Sequence, residues 1–280
     1  MSYILFTATG CTRCKIVKKF MTEKGIEFAE KDMKGEGKEE FKKFYAANRR
    51  SLTRGQDGVE FPVLTDGEEI RQGIGASLAY LRAGKGLDGF FAVGTLHKEW
   101  VDGIYPGSGN LQYAEEFIEV LKYLKKQGMK LQIETKGENS QLLSRILGEE
   151  LADKLIMNVL GPAALYSELL GKPADITDIQ KSIALTAQFP NYQFQTTVVP
   201  VLRQEGDVPE VGFLTKEEIA ETAEWIERET GSKKNPYLLR VFKPAESKTE
   251  ALKAAVPPPS LFPYRTAARA YQVLTELEKV

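Results

Sequence analysis

An apolar run, Tyr3-Ile4-Leu5-Phe6, is followed a few residues later by Thr9-Gly10-Cys11-Thr12-Arg13-Cys14-Lys15 and then by Ile16, Val17, Phe20 and Met21 at helical spacing. The pattern predicts a strand, a turn and a helix, with both cysteines of the chain in the turn. In that context a Cys-X-X-Cys pair is a redox motif. Cys11 falls at the start of the helix, where unpaired N–H groups and the positive end of the dipole favour a thiolate. Arg13 and Lys15 add positive charge nearby, so Cys11 is expected below the ordinary cysteine pKa of about 8.5. Cys14, almost one turn on, is placed to resolve a mixed disulfide formed at Cys11. Two other readings compete, a pair of small core residues and half of a zinc site. Zinc ordinarily takes four ligands, and the chain has no further cysteine and a single histidine, so no metal is expected.

A chain of 280 residues fits two domains. Its 42% hydrophobic and 28% charged residues are those of a globular protein. With 38 Lys and Arg against 39 Asp and Glu, the net charge of −1 supplies no field for nucleic acid or an anionic membrane. No stretch reaches the roughly 18 apolar residues of a membrane span, and Met1–Phe6 enters the first strand without a charged leader. Two close thiols in an otherwise cysteine-free chain suit a reducing compartment, so a cytoplasmic location is expected.

The first 84 residues continue with a helix over Thr12–Lys24 ended by Gly25, a strand over Ile26–Met33, and an amphipathic helix over Lys38–Asn48 with Phe41, Phe44 and Tyr45 facing inward. A basic loop, Arg49–Gly58, leads to a hairpin with an Asp66-Gly67 turn, and Gly75–Ala83 closes with a short helix before the linker Gly84-Lys85-Gly86. This β-α-β-α-β-β-α order, with two thiols opening the first helix, resembles the glutaredoxin and thioredoxin family. The resemblance implies a thioredoxin fold over 1–84, with Cys11 attacking, Cys14 resolving and Pro62 as a cis-proline facing them; Phe61, Pro62 and Arg13 would meet the substrate. The chain has Thr12-Arg13 where the family commonly has Pro-Tyr, and Gln72-Gly73-Ile74-Gly75-Ala76-Ser77 where an acidic pair would help hold glutathione. Glutathione therefore stays only a possible reductant. The arsenate-reductase-like group shares the opening strand, thiol and helix.

From 88 to 243 the pattern changes to strand and helix units, the mark of a parallel sheet. Strands are expected at Phe90–Thr95, Val101–Tyr105, Lys130–Thr135, Lys154–Leu160, Tyr192–Leu202 and Tyr237–Phe242. Helices are expected at Gln112–Gln127, Ser140–Leu147, Pro162–Leu170, Asp175–Phe189 and Thr215–Thr230, the last with a Thr215/Glu218 capping box. Six strands fit an open partial (β/α) barrel. Ile104-Tyr105-Pro106-Gly107-Ser108-Gly109-Asn110-Leu111-Gln112, Leu131-Gln132-Ile133-Glu134-Thr135-Lys136-Gly137 and Thr197-Val198-Val199-Pro200 resemble segments of the radical S-adenosylmethionine enzymes, especially the activating enzymes of glycyl-radical proteins. Where those enzymes hold an iron–sulfur cluster, this chain has Leu96-His97-Lys98-Glu99-Trp100, without cysteine. Only about six residues separate two strands that a crossover would join with at least ~10 to 12. Neither an iron–sulfur cluster nor cleavage of S-adenosylmethionine is expected.

The strand ends of such a sheet would gather Gly107, Ser108, Gly109, Asn110, Thr135, Asn158 and Arg240 into a possible pocket. The Gly-Ser-Gly-Asn run can offer N–H groups to an anion, or serve as a tight turn. His97 can be a packed surface residue or a ligand. Pro244–Ser260 reads as an extended strap, and Tyr264–Val280 as a helix with Ala267, Ala270, Tyr271, Leu274 and Leu277 on one face.

The α/β chain is thus expected to be a thiol–disulfide oxidoreductase of glutaredoxin type, acting on a protein disulfide or a glutathione mixed disulfide. The cluster-less second domain would be a platform for a partner, such as a glycyl-radical enzyme system. The alternative is a non-enzymatic adaptor switched by the redox state of Cys11 and Cys14.

Overall fold

In the computed structural model, residues 3–55, 58–205, 208–244 and 255–279 are described. The apolar run at the start becomes β1, Tyr3–Thr7, whose Leu5 and Phe6 are buried. The chain then forms α1 (Thr12–Glu23), β2 (Phe28–Asp32), α2 (Gly37–Asn48), a two-residue pairing of β3 (Arg54–Gly55) with β4 (Gly58–Val59), β5 (Val63–Thr65), β6 (Ile70–Gln72) and α3 (Ile74–Ala83). The strands make a sheet in the order β2-β1-β5-β6, with β1 parallel to β2 and antiparallel to β5, and β5 antiparallel to β6.

The local reasons are visible in the sequence. Ile16, Val17, Phe20 and Met21 form the buried stripe of α1, each worth roughly 1.5–3 kcal/mol on burial. The helix stops where Gly25 takes φ +65°, a left-handed conformation that costs glycine little. From α2, Phe41 and Phe44 pack on Phe6 with ring centroids 5.2 and 4.8 Å away. The expected hairpin is present as β5 and β6, its Asp66 carboxylate accepting from the Glu68 and Glu69 N–H groups.

The rest of the chain comprises β7 (Trp100–Ile104), α4 (Ala114–Lys126), β8 (Lys130–Thr135), α5 (Ser140–Gly148), β9 (Lys154–Asn158), α6 (Tyr166–Leu170), α7 (Ile176–Thr186), β10 (Tyr192–Val198), β11 (Pro200–Glu205), β12 (Val208–Phe213), α8 (Lys216–Thr230), β13 (Tyr237–Val241), α9 (Phe262–Ala268) and β14 (Thr275–Leu277). Six of these strands form a parallel sheet ordered β14-β13-β10-β9-β8-β7, the arrangement of an open partial β/α barrel. By internal packing the chain divides into Met1–Ile133 with Gly148–Asp153, and Glu134–Leu147 with Lys154–Val280. The first unit therefore runs on beyond Gly84–Gly86. Among the described residues no helix is long and apolar enough to cross a membrane.

Three expectations are corrected. Phe90–Thr95 is not a strand of the parallel sheet. Phe91 makes a single antiparallel bridge to Ile104, with Ala92 N–H on Gly103 O (2.8 Å) and Tyr105 N–H on Phe90 O (2.8 Å). A longer ladder fails because β7 shifts register between Val101 and Ile104, where Gly103 adopts φ +71°. The apolar character of Phe90 is used for packing instead, its ring stacked on Phe117 at 4.4 Å.

The strand expected over Tyr192–Leu202 breaks at Val199, and β11 turns away to pair with β12 as a separate antiparallel hairpin. At the C-terminus, the helix ends at Ala268 instead of running to Val280, and Thr275–Leu277 joins the parallel sheet beside β13. Buried Gln272 fixes this turn, accepting from Asn235 N–H (3.2 Å) and donating to Ser232 O (3.0 Å). The sheet has the expected six strands, with β14 in place of the segment at 90–95. The shortened α9 packs on α8. The strap expected over Pro244–Ser260 lies outside the described residues at 245–254.

In the second unit Tyr166, Phe194, Trp225 and Tyr237 are almost fully buried in one core. The predicted capping box starts α8, with Thr215 Oγ1 accepting from Glu218 N–H (3.2 Å) and Glu218 Oε2 from Thr215 N–H (2.8 Å).

Candidate functional site

Cys11 is the N-cap of α1, and its sulfur accepts a hydrogen bond from Cys14 N–H at 3.1 Å. The turn before it is held by Cys11 N–H on Ala8 O (3.0 Å) and by the Thr9 hydroxyl donating to Asp32 (2.8 Å). The Lys34 N–H and then that hydroxyl hold the Asp32 carboxyl below its usual range. Cys11 and Cys14 form a disulfide with Cα atoms 5.3 Å apart. The two sulfurs are not equivalent: Cys14 is only 2% exposed, while Cys11 is partly open. An N–H aimed at Cys11 Sγ from the first turn of a helix favours the thiolate over the thiol once the bond is reduced.

Cys11, Thr12, Arg13, Glu60 and Phe61 line a cavity of about 310 Å3. It is also lined by His97 and Lys98, from the segment that sequence pattern compared with a lost cluster loop. This segment is clamped at both ends. The Asp102 carboxylate on β7 accepts from Thr95 N–H (2.9 Å), the Thr95 hydroxyl (2.9 Å) and Leu96 N–H (3.0 Å). From α1, the Arg13 guanidinium donates to Leu96 O and to Trp100 O (2.7 Å) and pairs with Glu60 at 3.4 Å. Between the clamps Lys98 adopts φ +58°, a conformation that costs a side-chain-bearing residue roughly 1 kcal/mol. The loop therefore has a specific shape, held by partners from distant parts of the sequence.

Arg13 thus occupies a different environment from the one its spacing suggested. It is 9% exposed, and its charge is shared among a carboxylate and two carbonyls. The Phe61–Pro62 bond is cis, and Pro62 O accepts from Gly73 N–H at 2.8 Å. Buried Gln72, from the stretch compared with a glutathione-binding region, is occupied with the backbone: it donates to Thr53 O (2.7 Å) and Glu60 O (3.1 Å) and accepts from Thr53 N–H (2.8 Å). Its side chain thereby braces the strand entry that carries Glu60 and Phe61.

The residues expected to line a second pocket divide between the two units, and each is described in its own. In the first unit the Gly107–Asn110 run is a packed turn. Ser108 N–H bonds Tyr105 O (3.2 Å), Gly109 lies against the Phe90 ring, and Asn110 Oδ1 accepts from Gln112 N–H (3.0 Å). In the second unit buried Thr135 accepts from Gly137 N–H (3.0 Å), Asn158 Oδ1 accepts from Gln195 Nε2, and Arg240 pairs with Glu278 at 2.8 Å. Of the N–H groups in the Gly107–Asn110 run, that of Ser108 is thus taken by a local carbonyl.

Sequence pattern missed Glu60, Lys98 and Asp102, and left His97 open. The only signal available was that His97 is the sole histidine of the chain. Its Nδ1 stands 3.5 Å from Glu60 Oε1. Leu96–Trp100 contains no cysteine, so this segment offers no thiolate of the kind that holds an iron–sulfur cluster. What the arrangement can do is expose one sulfur, back it with a buried partner sulfur, and admit a small group between α1 and a clamped loop. The chain matches no family model, and comparison with curated proteins gives no match.

Proposed function

We propose that this protein is a thiol–disulfide oxidoreductase of glutaredoxin type. The observation that carries the proposal is the asymmetry of the pair: Cys11 partly open on a cavity and capped by an N–H, Cys14 buried behind it. The sheet order of the first unit supports a relation to the thioredoxin fold.

In the reaction, the Cys11 thiolate attacks a substrate disulfide. The substrate S–S bond breaks, its electron pair leaves on the distal sulfur, and a mixed disulfide forms at Cys11. The Cys14 thiolate then attacks Cys11 Sγ, forming the Cys11–Cys14 bond and releasing the second substrate thiolate. Two electrons pass from the dithiol to the substrate, and an external thiol such as glutathione restores the dithiol. Phe61 and Arg13 line the cavity that receives the substrate, next to Pro62. The parallel sheet supports a relation of the remaining chain to partial barrels and a role as a platform for the partner whose disulfide is reduced, a glycyl-radical enzyme system being one such partner.

The test is turnover of reduced protein with a mixed disulfide, together with Cys14→Ser. The variant should accumulate a covalent adduct at Cys11, seen by intact mass, and Cys11→Ser should form none. A reduced protein that turns over no disulfide, but whose partner affinity changes on oxidation, would replace the enzyme with an adaptor.

A further inference from the structure

We infer that His97, oriented by Glu60, donates the proton to the sulfur that leaves when Cys11 attacks a disulfide in the cleft. The inference rests on the exchange activity proposed above and adds a residue from outside the strand–turn–helix that carries the thiols.

Three observations carry it. His97 lines the same cavity as Cys11, so a disulfide seated against Cys11 lies in a space that the imidazole also borders. Glu60 Oε1 lies 3.5 Å from Nδ1, and the loop that carries the ring is clamped by Asp102 on one side and Arg13 on both. A second cavity of about 310 Å3, lined by Thr53, Gly55, Val93 and Thr95, shares His97 and Glu60 with the first. The pair therefore borders both spaces.

The chemistry needs such a group. An alkyl thiolate is a poor leaving group at neutral pH, and exchange slows as the leaving thiol becomes more basic. Imidazole is the side chain that gives and takes protons near neutrality. As the Cys11–substrate bond forms and the substrate S–S bond breaks, the electron pair goes to the distal sulfur and the imidazolium proton goes with it. A thiol leaves, and neutral His97 regains a proton from solvent. The charged side chains that line the cavity with His97 are Arg13, Glu60 and Lys98. Arg13 is tied to Glu60 and two carbonyls, while Lys98 forms no ion pair among the described residues and keeps the wall cationic.

The test compares His97→Gln with wild type in single-turnover reduction of two disulfides. Hydroxyethyl disulfide has a basic alkyl leaving thiol; 5,5′-dithiobis(2-nitrobenzoate) has a weakly basic aryl one that needs no proton. Loss of a general acid in so open a cleft should lower the rate on the alkyl disulfide about tenfold or more, and on the aryl disulfide less than about twofold. Equal losses on both substrates would make His97 a wall residue only, and no loss on either would remove it from the reaction; both overturn the inference while leaving the exchange activity standing. A wild-type protein that reduces neither disulfide would overturn both.

Discussion

Replacing Arg13 tests whether the cleft wall is fixed by the thiol-bearing helix. The guanidinium serves three acceptors, Leu96 O, Trp100 O and Glu60, from a site 9% exposed. Hydrogen bonds from a charged donor contribute about 1.5 kcal/mol each at the low end, so the two carbonyl bonds are worth about 3 kcal/mol. Both carbonyls can turn to water once the loop opens, which leaves a net cost of about 2 kcal/mol for Arg13→Ala, equivalent to about thirtyfold in the opening equilibrium of residues 95–100. Hydrogen exchange followed by mass spectrometry reads this directly, because the Thr95 and Leu96 amides bond to Asp102 and the Trp100 amide to His97 O (3.3 Å). Arg13→Lys should recover only part of the protection, since an ammonium cannot reach both carbonyls and the carboxylate in one planar fork. A change in exchange of less than about threefold on Arg13→Ala would refute the clamp, and with it the fixed placement of His97.

Two further outcomes are expected. Thr215→Ala should cost about 1 kcal/mol in urea unfolding of the second unit, because it removes the acceptor for Glu218 N–H at the start of α8; an unchanged midpoint would mean that the box is ornamental. In the first unit the Tyr80 hydroxyl, 2.5 Å from Asp66, is the main cause holding that carboxyl below its usual range, with Glu69 N–H second, and the same bond pushes Tyr80 up to about 12. A carboxyl depressed on folding contributes stability that is full above about pH 4 and lost as pH falls through its folded value. Tyr80→Phe should therefore lessen the loss of stability on acidification below about pH 4, at the cost of lower stability near neutrality; an acid profile parallel to wild type would refute the linkage.

The residue pattern was most informative where the physics is local. The apolar stripe of α1, the Gly25 stop, the β5–β6 turn and the Thr215/Glu218 box each depend on side chains within a few positions of one another, and each is present. The same holds for the thiols: Cys11 as N-cap and Cys14 one turn behind follow from three residues of spacing and a helix. Pattern misjudged the segments whose state depends on a distant partner. Phe90–Thr95 looks like a strand by composition, yet Gly103 and the register shift in β7 leave it one bridge, and Asp102 takes the amides at its end. Helical spacing over Tyr264–Val280 is overridden after Ala268 by the open edge of β13 and by the buried Gln272.

By itself, then, the amino-acid order determined a paired set of sulfurs at a helix start, because a cap, a dipole and a turn need only neighbours. Tertiary structure alone decided what faces that pair. Arg13 reaches across more than 80 positions to carbonyls at Leu96 and Trp100, and Glu60 meets both Arg13 and His97. Such pairings are set by which buried donors and acceptors are brought together when the chain closes on itself, and nothing in the local spacing of either segment specifies them.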